Sequence, residues 1–134
     1  MGVHYLQNST VVVEGLKFHG CPHSAPSPSR NSAFQYPTAE ARRRLARAPG
    51  DTDVLLTHQY TSLSQAAADR CRPLIHAFGH VHDAFGAEVR GARTLEVCAC
   101  SVDGSYRPVH PCVVVDVPRE WARKRSREAS AASV

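Results

Sequence analysis

Three of the eight histidines stand where they could share one chemistry. His58 closes the apolar run Asp53-Val54-Leu55-Leu56-Thr57, and His80 and His82 flank Val81 directly after Gly79. Neutral imidazole is the commonest side-chain ligand of transition metals. In extended backbone, residues i and i+2 project to one side, so His80 and His82 can face a single cavity while Val81 turns away, and Gly79 permits a tight bend before them. Parallel strands bring their C-terminal ends to one crevice, where open α/β sheets hold ligands, and His58 can join the pair there. Such a trio would coordinate a divalent ion. The competing reading is structural, because a His-x-His word alone is common. The remaining histidines show no such arrangement. His76 lies inside an apolar run and reads as a hydrogen-bonded core residue, while His4, His19, His23 and His110 fall in strands or loops without a partner.

The elements that must position these residues can be read from pattern. Thr10–Glu14 is a β-branched run and Leu16–Gly20 alternates, with Glu14-Gly15 as a tight connection, so an opening hairpin is expected. Residues 22 to 38 hold Pro22, Pro26, Pro28 and Pro37 among serines and read as a loop. Thr38 is placed to cap a helix over 39–48 that Pro49-Gly50 stops; its four arginines suit a solvated face. Residues 53–57 read as a buried strand, 62–71 as a helix, and 73–78 as a second buried strand ending at Gly79. A hairpin over 87–90 and 93–98, then an apolar strand over 112–117, completes an α/β chain in which strands dominate.

Length and composition set limits. The 134 residues carry a net charge of +4, which suits one small domain. Leu, Ile, Val and Phe make up only 28 of them, so the core is thin. No run approaches the roughly 18 apolar residues of a membrane helix, and the first residues lack a signal-peptide pattern, so a soluble, cytoplasmic protein is expected. Five cysteines without a C-x-x-C pair predict free thiols, and Asn8-Ser9-Thr10 reads as a turn before a strand. Residues 119–134 hold five basic side chains against two acidic ones and are expected to form a basic tail beyond the folded domain of residues 1–118. Because that charge is not spread over a folded face, nucleic-acid binding is not expected.

Thr57-His58 after one strand and Gly79-His80-Val81-His82 after another resemble the last two of the five metal-binding motifs of the calcineurin-like metallophosphoesterases. Tyr5–Ser9, Val13–Phe18, Thr52–His58, Arg72–His82 and Pro111–Asp116 are similar, in order, to the C-terminal half of the fetal-brain type of metallophosphoesterase-domain protein. The resemblance runs from about Tyr5 to Val117. It implies the C-terminal part of a sandwich of mixed β-sheets flanked by helices, and a hydrolase of phosphodiesters or phosphomonoesters, cyclic nucleotides among them. It also implies two divalent ions (Mn, Fe or Zn), one helping to generate the attacking hydroxide and both offsetting charge on the phosphoryl oxygens. By motif, His58 and His80 would hold one metal and His82 the other.

The family's first three motifs, which bring an Asp-x-His, the bridging aspartate and an Asn-His with the catalytic histidine, have no counterpart here; only four residues precede Tyr5. Asp53 lies five extended residues before His58, roughly 16 Å away at ~3.3 Å per residue, and Asp83 should point away from His82. Three neutral donors cannot compensate a pair of doubly charged ions, so at most one weak metal site and no catalytic residue are expected in this chain. Two readings follow: a metal-dependent phosphoesterase represented by its C-terminal half, acting on a small phosphate ester, or a catalytically inactive binding or regulatory protein. Lacking the strands of the other half, the chain should expose an apolar face or a sheet edge through which it could self-associate. The turn Gln59-Tyr60-Thr61 and the 22–38 loop depart from the family pattern.

Overall fold

The computed structural model describes residues 2–24, 26, 33–91, 93–118 and 120. Nine elements follow one another: β1 (Ser9–Val13), β2 (Leu16–Cys21), α1 (Thr38–Leu45), β3 (Val54–Gln59), α2 (Ser62–Cys71), β4 (Ile75–Gly79), a 3-10 turn (His82–Ala84), β5 (Gly86–Arg90) and β6 (Thr94–Cys98). The strands form one mixed sheet in the order β1-β2-β3-β4-β6-β5. Its centre, β2, β3, β4 and β6, is parallel, and the antiparallel partners β1 and β5 close the two edges. The fold is α/β, as the sequence pattern implied.

The opening hairpin turns through Glu14 at φ 51° and Gly15 at φ 82°, the left-handed pair that a two-residue hairpin loop requires. Asp53 fastens the next strand in place. Its carboxylate accepts from the Lys17 N–H at 2.9 Å, and its carbonyl accepts from the Leu74 N–H at 2.8 Å. It is thus a structural clasp between β2, β3 and β4 rather than a ligand.

α1 begins differently from expectation. Pro37, not Thr38, is the N-cap, and its carbonyl accepts from Glu40 and Ala41, because the proline ring presets the entry angle while Thr38 already has helical backbone. The helix ends at Leu45, short of Ala48, with Arg47 and Ala48 continuing in i→i+3 turns. Nor are all its arginines simply solvated: Arg44 lies 4.1 Å over the Tyr36 ring and pairs with Glu40. α2 starts with a reciprocal cap in which Thr61 Oγ1 accepts from the Ser64 N–H and Ser64 Oγ accepts from the Thr61 N–H.

Both helices cover the sheet face that carries Cys21 and Leu55. The core there contains Ala41, Leu45, Ala48, Leu63, Ala67, Ala68 and Cys71, so among the described residues Leu45, Leu55 and Leu63 are its large aliphatics. The opposite face alternates with it in register. Phe18, Val54, Ile75 and Leu95 line up across four strands, as do Leu56, Ala77 and Val97 on three of them, and most are only half-buried. The N-terminal segment lies over one end of that face, with Leu6 against Gly20.

The expected strand over 112–117 is absent. Residues 113 to 117 alternate between half-buried and exposed but join no ladder among the described residues, because alternation reports a half-covered chain and cannot supply the partner a strand needs. The expected tail, apart from Glu120, lies outside the described residues. All five cysteines are free, four of them buried. No helix among the described residues is long and apolar enough to cross a membrane.

Candidate metal centre

β3 and β4 run side by side, so their C-terminal ends deliver His58 and His80 to the same edge. Pairing is regular to Leu56↔Ala77 and resumes at Gln59↔Gly79, which leaves Thr57 and His58 opposite Phe78 alone. Alternation from Leu55 puts Thr57 on the helix-covered face, where its hydroxyl meets His76 Nε2 at 3.0 Å, and the bulge follows it with His58 exposed at the rim. The His58 and His80 rings stand with centroids 4.8 Å apart, tilted by 43°. Desolvation at this edge, with the His80 imidazole adding to it, pushes the His58 pKa below its ordinary value, toward the neutral form a metal needs.

The basis on which His82 was expected to join them does not hold. Residues 79–82 are not extended: His80 itself takes φ 68°, and the Val81 N–H donates to the Gly79 carbonyl at 2.8 Å, a γ-turn of the rarer hand centred on His80. The chain then enters the 3-10 turn at His82, so His80 and His82 lose the shared side that period-two backbone would have imposed. The His82 ring instead packs edge-on against Tyr106 at 4.9 Å. The bend is carried by His80 and not, as expected, by Gly79. Among the described residues no group of three or more His, Cys, Asp or Glu is arranged to hold a metal.

The residues present therefore fit half of one coordination sphere. Two facing imidazoles, one biased to be neutral, can serve one divalent ion. A dimetal centre does not fit the described residues, because no carboxylate among them joins the pair to offset the charge. Beside them opens a cavity of 530 Å³ lined by Tyr60, Phe78, Val81, Phe85, Glu96 and Cys98 among others. Phe85 stacks on His110 at 4.3 Å, so the 101–110 loop roofs this end of the sheet.

Sequence reasoning left His19 and His23 without a role. They are 2% and 3% exposed; His19 Nδ1 meets Thr10 Oγ1 at 2.9 Å and His23 packs edge-on against Tyr36. Burial lowers the pKa of each, with nearby arginines adding to it. Their strand and loop positions alone carried no signal of this burial.

No protein-family model matches the chain. Among curated proteins, it is 28% identical over 133 residues to Metallophosphoesterase domain-containing protein 1 of Homo sapiens and of Mus musculus, covering 85% of this chain and 40% of those proteins. UPF0046 protein K07C11.7 of Caenorhabditis elegans is 30% identical, over 88% of this chain and 44% of that protein. It is also 33% identical over 103 aligned residues to Probable rhamnogalacturonate lyase C of Emericella nidulans, covering 63% of this chain and 10% of that protein. The chain is thus similar to proteins named for a metallophosphoesterase domain, and it spans less than half the length of those relatives.

Proposed function

We propose that this chain supplies the histidine side of a metal-dependent phosphoesterase site, with His58 and His80 holding one divalent ion and His82 contributing only where the 3-10 turn rearranges. The observation that carries this reading is the contact of the His58 and His80 rings across adjacent strand ends. A bound divalent ion would act as a Lewis acid toward a phosphate ester, Mn, Fe and Zn being the candidates. The aromatic cavity next to the pair offers room for the organic part of a small ester. No carboxylate among the described residues stands with the two imidazoles, which favours a chain that binds one ion weakly and is by itself an inactive, binding or regulatory protein.

Titration calorimetry of the full chain with Mn²⁺ or Zn²⁺ tests this. His58→Ala and His80→Ala should each weaken binding by about tenfold or more, the loss of one of two protein ligands, whereas His82→Ala should change it far less. Equal affinity across the three variants would overturn the assignment. Turnover of an aryl phosphodiester by the chain, abolished in His80→Ala, would overturn the inactive reading and keep the metal reading.

A further inference from the structure

We propose that the cavity beside the histidine pair binds a small methylated ammonium group, such as that of choline, between its aromatic rings and the carboxylates of Glu88 and Glu96. The cavity, 530 Å³, is walled by Tyr60, Phe78, Val81 and Phe85 and carries these two acids on its sheet side. Among the described residues that line it there is no lysine or arginine. The inference narrows the organic part of the ester proposed above, and to that extent rests on that reading, but binding of the cation itself needs no metal.

Strand register explains why two acids meet there. Leu55 pairs with His76, His76 with Glu96, and Glu96 with Glu88, one row across β3, β4, β6 and β5 on the helix-covered face. α2 covers the Leu55 end of that row with Leu63 and Ala67, and the Glu96–Glu88 end opens into the cavity. Like charges directly opposite on neighbouring strands destabilise a sheet. Arg90, two places from Glu88 along β5, answers only one of the two acids: it pairs with Glu96 at 3.3 Å and is shared with Asp69 at 3.0 Å. Glu88, exposed at the mouth, makes no ion pair among the described residues. His76, 3.9 Å from Glu96, is neutral near pH 7 and adds no charge.

The rings are held ready for a cation. Tyr60 and Phe78 stand with centroids 5.0 Å apart, tilted by 42°, and the Tyr60 hydroxyl is fixed by the Gln65 amide at 2.7 Å. Phe85 is held by stacking on His110 at 4.3 Å. The face of an aromatic ring is the negative end of its quadrupole and attracts a cation within about 6 Å of the centroid. A quaternary ammonium has no N–H to satisfy, so ring faces can replace its water while the carboxylates supply charge from a distance. A primary ammonium would give up water at three donors that the rings cannot accept from. A metal ion does not suit the recess, because among the described residues no group of three His, Cys, Asp or Glu is arranged to hold one.

The test titrates the full chain with choline in the presence of EDTA and follows the NMR resonances of the aromatic side chains. Because EDTA removes divalent ions, the result stands or falls apart from the Mn²⁺ and Zn²⁺ titration of the histidines. Saturable one-to-one binding is expected, about tenfold tighter than that of neohexanol, the uncharged carbon isostere, or of ethanolamine. Phe85→Leu, which keeps the wall apolar but removes a ring face, should weaken choline about fivefold. Glu88→Gln should weaken choline about threefold, leave neohexanol unchanged, and raise the melting temperature of the free chain by removing the like-charge contact. No saturable binding, equal affinity for choline and neohexanol, or a Glu88→Gln variant that binds choline as the parent does would overturn the proposal.

Discussion

His76 is 0% exposed, and burial, with Arg90 adding to it, lowers its pKa to about 4. Its surroundings explain why it stays neutral. Thr57 Oγ1 meets one ring nitrogen at 3.0 Å, Tyr60 and Phe78 crowd its faces, and Glu96 stands 3.9 Å from the other nitrogen, turned toward Arg90. In the unfolded chain this histidine takes its proton near 6.5, in the folded one only near 4. Between those values the unfolded state binds more protons, so its contribution to stability is complete above 6.5 and is lost as pH falls toward 4. The loss from this group is about 3 kcal/mol. Urea unfolding between pH 7 and 4.5 should show the decline, and His76→Gln should flatten part of it; an unchanged slope in the variant would place the decline on other groups, such as His19 and His23.

Among the elements, β2 shows how a single missing side chain sets a packing distance. A Cβ on Gly20 would come within 2.4 Å of Leu6 Cβ and 3.0 Å of the Leu6 carbonyl oxygen, and the Asn8 N–H donates to the Gly20 carbonyl at 2.8 Å. Gly20→Ala must therefore push the N-terminal segment off the half-buried face, at about 1–3 kcal/mol, with faster hydrogen exchange at Asn8 as the local sign. At α2, Thr61→Ala removes one half of the reciprocal cap and should cost about 1 kcal/mol in thermal or urea unfolding. Leu55, 0% exposed between the sheet and both helices, is one of three large aliphatics in this core; Leu55→Ala should cost about 2–5 kcal/mol by the same measurement.

For the whole molecule, the consequence of a thin core is a sheet covered by helices on one face only. β1 pairs with β2 alone among the described strands, and its run Ser-Thr-Val-Val-Val leaves Val12 61% exposed with no proline or lysine to blunt it. Association of two copies along this edge is expected. Sedimentation velocity over a range of concentrations should show it, and Val12→Lys should shift the chain toward monomer; a monomer at all concentrations would rule it out.

Most elements were legible because their signals are local: β-branched runs, the left-handed pair at Glu14-Gly15, the alanine-rich stretch over 62–71 and the apolar runs ending at His58 and Gly79 each follow from side-chain shape and period. The adjacency of His58 and His80 was also legible, since parallel strands joined through a helix bring equivalent ends together. The turn that carries His82 off the side of His80 was not. It depends on a left-handed backbone at His80 and on the 3-10 turn that begins at His82, and period-two reasoning assumes neither. A cleft at the N-terminal ends of β4 and β6, lined by Arg70, Arg90 and Arg93 among others, was invisible for the same reason. Arg70 and Arg93 are 23 positions apart in the chain, and only closure of the β5–β6 hairpin against the end of α2 places their charges in one recess.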